Sequence, residues 1–284
     1  MVVVLSGIAS GAVYGLVGLG IVIVYRATGV VNFASAALAA MGMYVVVSVA
    51  GAIGVWAALA VGVAAAVLVG LVVREGVIRP LGPGRPFPAL VVAIGVSLVV
   101  EDVVGRVWGF QPRPFPELVG GSLPVGSGFL RTQDLLTIAV AAVAMAVVAW
   151  VVQRTTLGAA MRAVAESPRT ATMLGVDPQR IARLAWAIGV GLAAVGGALA
   201  VTATGLTPTI LTAVLFRAVA GIFLGGLTSM VGAVVGGLAI GVLDNLAATY
   251  VAAGWRDTVV FGVAVLVLLI RPEGLFGKRS LQRV

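Results

Sequence analysis

RTTLGAAMRAVAESPRTATMLGVDPQRIAR, residues 154–183, is the one long polar, Arg-rich interruption in a chain that otherwise reads as membrane. Ser167 followed by Pro168 is a helix start: the hydroxyl accepts from a free backbone N–H, and proline at the first helical position gives up a donor that has no partner there anyway. Gly175 after Leu174 is a helix stop, because glycine enters the left-handed conformation without a Cβ penalty. These signals predict a helix of about two turns over residues 168–174. Asp177 and Pro178 then repeat the start signal for the next helix. A short capped helix held between two longer ones on a membrane face is a docking element, whereas a disordered linker has no need of caps.

Composition places the rest. The 284 residues are 61% hydrophobic and only 10% charged, with a mean hydropathy of +1.18, which is the profile of a polytopic membrane protein. Apolar runs near the roughly 18-residue threshold recur along the whole length, so no soluble domain is left over. There is no Cys, which excludes disulfides, thiol catalysis and thiolate metal sites, and no His, the commonest general base and transition-metal ligand. The net charge of +8 sits in loops beside spans, where it reads as an orientation signal.

In order, residues 2–24 form a first span rather than a cleaved leader, since no basic segment precedes them. Residues 32–49 and 53–73 are the next two segments. The loop 74–88, REGVIRPLGPGRPFP, holds three Arg and four Pro and cannot be regular helix throughout. Residues 89–108 are a fourth span, 109–131 a Gly/Pro loop with exposed aromatics, and 135–152 a fifth span. After the polar interruption come 184–204, then 206–224, the Gly-rich run 225–249, and 259–270. Lys and Arg number three in 74–88, five in 154–183 and four in the tail from Arg271, against three in 106–131. The expectation is an all-α, polytopic helical bundle forming one domain over 1–284, with eight or nine membrane segments, the N-terminus outside and the C-terminus cytoplasmic. The count depends on whether 32–49 and 206–224 cross or re-enter.

Those two segments share a character: each is apolar but interrupted by Gly, Pro, hydroxyl or amide side chains. Paired interrupted helices in the two halves of a transporter mark a translocation path, because freed backbone and helix ends line a cavity. Asn32, Phe33, Ser35, Thr207, Thr209 and Arg217 are the candidates. Gly232, Gly236, Gly237 and Gly241, spaced about one turn apart, read instead as a close helix-packing face. Arg217 lies inside an apolar segment, where a cation costs about 2.5 kcal/mol or more. It needs a partner: Asp244 in the next segment would make a structural pair, and the carboxylate of a passing solute is the functional alternative. Glu101 and Asp102, at the end of a span, read as interfacial.

The run GLVGLGIVIVYRATGVVNFASAALAAMGMYV at 15–45 resembles the opening of the shorter permease type of bacterial branched-chain amino acid ABC importers. The stretches 157–199, 216–250 and 255–277 are similar to that family in collinear order, so the resemblance covers nearly the whole chain. It implies that the helix from Pro168 is a coupling helix seated in a separate ATPase subunit. Arg162, Ala165, Glu166, Pro168, Arg169, Thr170, Leu174 and Gly175 are the residues it assigns to that contact. It further implies a second permease subunit in a heterodimer, and a substrate-binding protein meeting 109–131 outside the membrane. The chain itself is expected to bind no cofactor. ATP would be used by the partners, because the only lysine, Lys278 in GLFGKRS, lacks the spacing of a phosphate-binding loop. Where the family carries a His-Gly-Glu-like stretch after Asn-Phe-Ala, this chain has Ser35, Ala36 and Ala37, which leaves the substrate open between branched-chain amino acids and small amides or urea.

Three other classes are weighed against this reading. An ion-coupled secondary transporter would draw its site from Glu101, Asp102 and Asp244. An intramembrane enzyme lacks a paired catalytic motif. A passive channel leaves the capped helix unexplained.

Overall fold

In hydrocarbon every backbone N–H and C=O must be satisfied within the protein, so each apolar run folds as helix. The computed structural model describes residues 2–82, 85–125, 128–251 and 253–277. Its helices are α1 (Val2–Thr28), α2 (Ser35–Ile53), α3 (Val55–Val73), α4 (Pro86–Trp108), α5 (Thr132–Arg154), α6 (Thr156–Glu166), α7 (Pro168–Met173), α8 (Pro178–Thr204), α9 (Ile210–Gly225), α10 (Met230–Tyr250) and α11 (Arg256–Ile270). Among the described residues, seven helices are long and apolar enough to cross a membrane: α1, α2, α3 with the turns that follow it, α4, α5, α8 and α10. α9, at 16 residues, is a shorter apolar helix, and α11, at 15, opens on the charged pair Arg256 and Asp257. With these shorter helices beside the seven, the count roughly fits the expected eight or nine segments.

Glycine contacts fix how these helices run. A Cβ on Gly7, Gly11 or Gly15 of α1 would meet the backbone of Val242, Leu238 or Val234 of α10, so the two helices are antiparallel with their backbones in contact. The same test pairs Gly20 with Gly189 of α8, Gly225 of α9 with Gly232 of α10, and Gly42 of α2 with Gly62 of α3. Each pair is antiparallel. The residues of the 232–241 run therefore serve packing, as their spacing predicts. A stripe of small residues is what lets helices approach in lipid, where no hydrophobic effect drives them together.

Alternating directions leave α1 starting on one face of the bundle, here the N-terminal face, and residues 271–277 on the other. Arg113 N donates to Leu206 O and Leu206 N to Arg113 O, both at 2.9 Å, which ties the long loop after α4 to the turn after α8 on the N-terminal face. That loop also carries a short hairpin, β1 (Ser122–Val125) with β2 (Gly128–Arg131), where the sequence showed only Gly/Pro-rich loop. On the opposite face, Leu275 N and Phe276 N reach Leu224 O and Gly225 O at 2.9 Å and satisfy the last carbonyls of α9. Lys278, Arg279 and Arg283 lie outside the described residues.

Of the two interrupted segments, the first starts inside the protein and the second at a turn on the N-terminal face. Residues 29–34 return from the end of α1 without helix, and Asn32 and Ala34 are buried there. Asn32 Oδ1 accepts from Ala34 N at 3.1 Å, and Ser35 Oγ donates to Asn32 O at 2.9 Å. Non-helical backbone at this depth is tolerated because it is enclosed by protein. α2 then runs to the N-terminal face, where Ser48 Oγ accepts from Trp108 Nε1 at 2.8 Å. α9 spans about 24 Å, less than a hydrocarbon core of about 30 Å, and hands over at Gly226 to a turn. The run 225–249 is thus a turn followed by α10, capped where Ser229 Oγ accepts from Gly232 N at 2.9 Å. Residues 74–81 leave α3 as a π-helical and then a 3-10 turn, as the Arg/Pro content requires.

Gly241 tests the packing face. A Cβ there would lie 2.1 Å from the Gly11 backbone, so Gly241→Leu should destabilise the protein by about 2 kcal/mol or more. Gly262→Ala, with open space around it, should raise stability by up to about 1 kcal/mol. Thermal unfolding in detergent, followed by loss of the monodisperse peak, distinguishes the two.

Candidate functional site

Asp244 on α10 is fully buried, and its carboxylate is the centre of a charge cluster. Arg256, at the start of α11, donates from Nε to Oδ1 at 2.6 Å and from Nη2 to Oδ2 at 2.5 Å, a two-pronged grip. Tyr14 of α1 donates to Oδ2 at 2.8 Å. Arg217 of α9 also faces it, Nε lying 3.4 Å from Oδ1, while Arg217 Nη2 donates to Asp257 Oδ1 at 2.7 Å. The pair Arg217–Asp244 expected from sequence is therefore present, but as the weaker arm of a larger set. Arg256, Asp257 and Tyr14 went unread: Arg256 stands outside any apolar run, and nothing local shows that the α10–α11 connection folds it back onto Asp244.

Beside this cluster, at the N-terminal face, lies a cavity of about 170 Å³ between α1, α5, α8, α9, α10 and the start of α11. Ser10, Gln133, Asp134, Thr137 and Arg217 contribute polar lining, and Val13, Leu199, Ile210 and Val214 contribute aliphatic lining. Asp134 is buried and accepts from Ser6 Oγ and Arg131 Nη2, each at 2.9 Å. Of the six path candidates only Arg217 lines this cavity. Asn32 and Ser35 are buried at the start of α2, and Phe33 stacks obliquely on Phe216 with ring centroids 6.4 Å apart. Thr207 and Thr209 lie in the turn before α9. The structure thus separates the candidates into an internal turn, a surface turn and a charged cavity. Gln133 and Asp134 were missed because the first turn of an amphipathic-looking span start gives no sign of facing inward.

The third region is the polar interruption on the opposite face. Ser167 Oγ accepts from Thr170 N at 3.3 Å, Asp177 Oδ1 accepts from Gln179 N at 2.9 Å, and Gly175 has φ of 81°. Both starts and the stop are where the sequence puts them, and α7 is the two-turn helix they predict. Ala165, Glu166, Pro168, Arg169, Thr170, Leu174 and Gly175 are all exposed, as is Arg162. One N–H of Arg162 is nevertheless committed to Val152 O, the end of α5. Met173 and Leu174 are 87% and 75% exposed, apolar tips on an otherwise polar element. Underneath, Met161, Val164 and Ala171 pack into one cluster with Leu16 and Leu19 of α1, Val148 of α5 and Ile181 of α8. Glu75 after α3 ties the same end of α8 down, accepting from Arg183 Nε at 3.0 Å and Arg79 Nη1 at 2.9 Å.

Among the described residues, no group of three or more acidic side chains is placed to hold a metal ion. Glu101 accepts from Ser97 and Thr212, and Asp102 pairs with Arg106 at 2.6 Å. These carboxylates and Asp244 do not converge.

Residues 3–269 match the family described as branched-chain amino acid transport system, permease component. The chain is similar to the high-affinity branched-chain amino acid transport system permease protein LivH of Escherichia coli, with 29% identity over 98% of this chain and 96% of that protein. It is 28% identical to the permease protein BraD of Pseudomonas aeruginosa over the same shares. A probable LivH of Methanocaldococcus jannaschii is 24% identical over 92% of this chain and 88% of its own length. No solved structure gives a significant match.

Arg256→Leu should cost about 3 kcal/mol, because it strips the bidentate partner from a buried carboxylate. Adding Asp244→Asn to that variant should recover part of the loss by removing the orphaned charge. A double-mutant cycle on thermal or denaturant unfolding measures both.

Proposed function

Because the chain belongs to the family of branched-chain amino acid transport system permease components, we propose that it is the membrane-spanning permease subunit of an ATP-binding cassette importer. It moves branched-chain amino acids, or a related small polar solute such as an amide, into the cell by alternating access. The observation that carries the mechanism is α7. It is a capped, solvent-facing helix with exposed Met173 and Leu174 at its tip, and its underside is packed onto α1, α5 and α8.

In this reading α7 seats in a cleft of an ATPase subunit, with Met173 and Leu174 as the apolar plug and Glu166 and Arg169 as its charged rim. ATP is bound and hydrolysed by that partner. Closure of the two ATPases moves α7, and α6 passes the movement to α1, α5 and α8 through a packed core that does not deform continuously. Nucleotide then biases an equilibrium between two arrangements of the bundle. A second permease subunit completes the membrane portion, and a solute-binding protein delivers cargo to the N-terminal face. That face is external and the C-terminus cytoplasmic, since residues 74–85 and 154–183 carry the basic loops on the α7 side.

Reversing both rim charges, Glu166→Arg with Arg169→Glu, should leave the permease folded while uncoupling hydrolysis from uptake. In proteoliposomes of the assembled importer, uptake per ATP hydrolysed should fall about tenfold, the scale of one or two lost charged contacts. Unchanged coupling moves the docking surface away from α7. A second variant, Leu174→Asp, should reduce copurification of the ATPase subunit.

A further inference from the structure

We propose that the groove at the end of α1, on the face that carries α7, binds the headgroup of an anionic phospholipid, gripped by Arg26 and Arg162. The site depends neither on the transported solute nor on the importer reading.

The last turns of α1 and α5, the middle of α6 and the first residue of α10 meet around this groove. Its polar lining is two guanidiniums, Arg26 and Arg162, and its apolar walls are Ile23, Val152, Met161 and Met230. Among the described residues no carboxylate lines it, and neither arginine makes an ion pair. Other arginines on this face are matched: Glu75 alone takes Arg74, Arg79 and Arg183. Arg162 gives one N–H to Val152 O, which holds the guanidinium beside the groove and leaves its charge and remaining donors free. Arg26 is half-buried in the last turn of α1. Two like charges turned to one groove raise each other's energy, and an anion bridging them removes that cost. Orientation in the membrane requires only that arginines lie on one side. It does not require two of them at one groove without a carboxylate.

The surroundings favour a lipid over a soluble anion. The groove encloses about 10 Å³, room for about one water, so the anion sits at its mouth with apolar groups beneath. On the outer face of α5, Val143, Val147, Trp150 and Arg154 recur at helical spacing, and the first three are 64%, 54% and 62% exposed. Tryptophan on such a face marks the headgroup level of a span, and Trp150 stands one turn short of Arg154. On α10, Val231 follows Met230 and is 61% exposed. Both helices flanking the groove thus turn apolar surface to lipid up to its edge, where acyl chains would lie below a headgroup held by the arginines. Basic residues at the cytoplasmic leaflet attract anionic lipid. Because Arg26 belongs to α1 and Arg162 to α6, a bound headgroup bridges the hub helix to the helix that leads into α7.

The test is native mass spectrometry of the full chain in detergent, titrated with dioleoylphosphatidylglycerol or dioleoylphosphatidylcholine, which share acyl chains and differ in headgroup charge. Phosphatidylglycerol should bind about tenfold more tightly. Arg26→Gln should cut that preference about fivefold, whereas Arg85→Gln, which removes the same charge from another loop on this face, should change it less than about twofold. Should Arg26→Gln fail to fold, Met230→Glu decides: its carboxylate suits the first turn of a helix and offsets the two arginines, with an expected loss of about fivefold. Excess glycerol 1-phosphate should leave the bound phosphatidylglycerol in place; displacement by it assigns the groove to a soluble phosphate and overturns the lipid. Equal affinity for the two lipids, or equal losses in Arg26→Gln and Arg85→Gln, overturns the site. So does an Arg26→Gln chain that keeps its lipid preference but no longer copurifies with an ATPase subunit, since the arginines then serve a protein contact.

Discussion

Backbone-to-backbone packing along α1 is the constraint on which the rest of this protein depends. In lipid, helices gain nothing by hiding apolar side chains from water, so close approach and van der Waals contact must hold them together. α1 meets this with glycines facing α10 and α8, and 89% of its most apolar window is buried within the protein. An apolar helix surrounded by other helices becomes a hub. α3, α4 and α5, whose windows are only 17–22% buried, form the outer layer around it.

That packing places the charges. Once α1 and α10 are antiparallel and in contact, the Tyr14 side chain reaches the Asp244 carboxylate. α9, packed beside both, brings the Arg217 side chain to the same carboxylate. A buried carboxylate is stable there only because Arg256 grips it with two hydrogen bonds and Tyr14 adds a third. The cavity borders the cluster, with Tyr14, Arg217 and Arg256 in its lining. Tyr14, Arg217, Asp244, Arg256 and Asp257 are thus brought together from four helices.

The same hub joins the two ends. α6 and α7 lie on the opposite face, and their buried side chains share a core with α1, α5 and α8. The grip of Glu75 on Arg79 and Arg183 fixes the start of α8 relative to the end of α3. α7 is thus joined to the hub through a packed core rather than a hinge.

How much of this was legible depended on whether the signal is local. The amino-acid sequence by itself determined the membrane class, a helical bundle of eight or nine apolar segments, the caps at Ser167 and Asp177, the stop at Gly175, the packing role of Gly232–Gly241 and the need of Arg217 for a partner. Each rests on hydropathy, helical spacing or capping over a few neighbouring residues. Tertiary structure alone decided that α2 begins inside the protein, that a hairpin lies before α5, that Arg256 rather than Arg217 is the main partner of Asp244, and that Gln133 and Asp134 face a cavity. Tyr14 and Asp244 are 230 positions apart, as are Ser6 and Asp134 by 128. No local pattern encodes such pairs, because they exist only after the glycine faces have set which helices touch and at what depth.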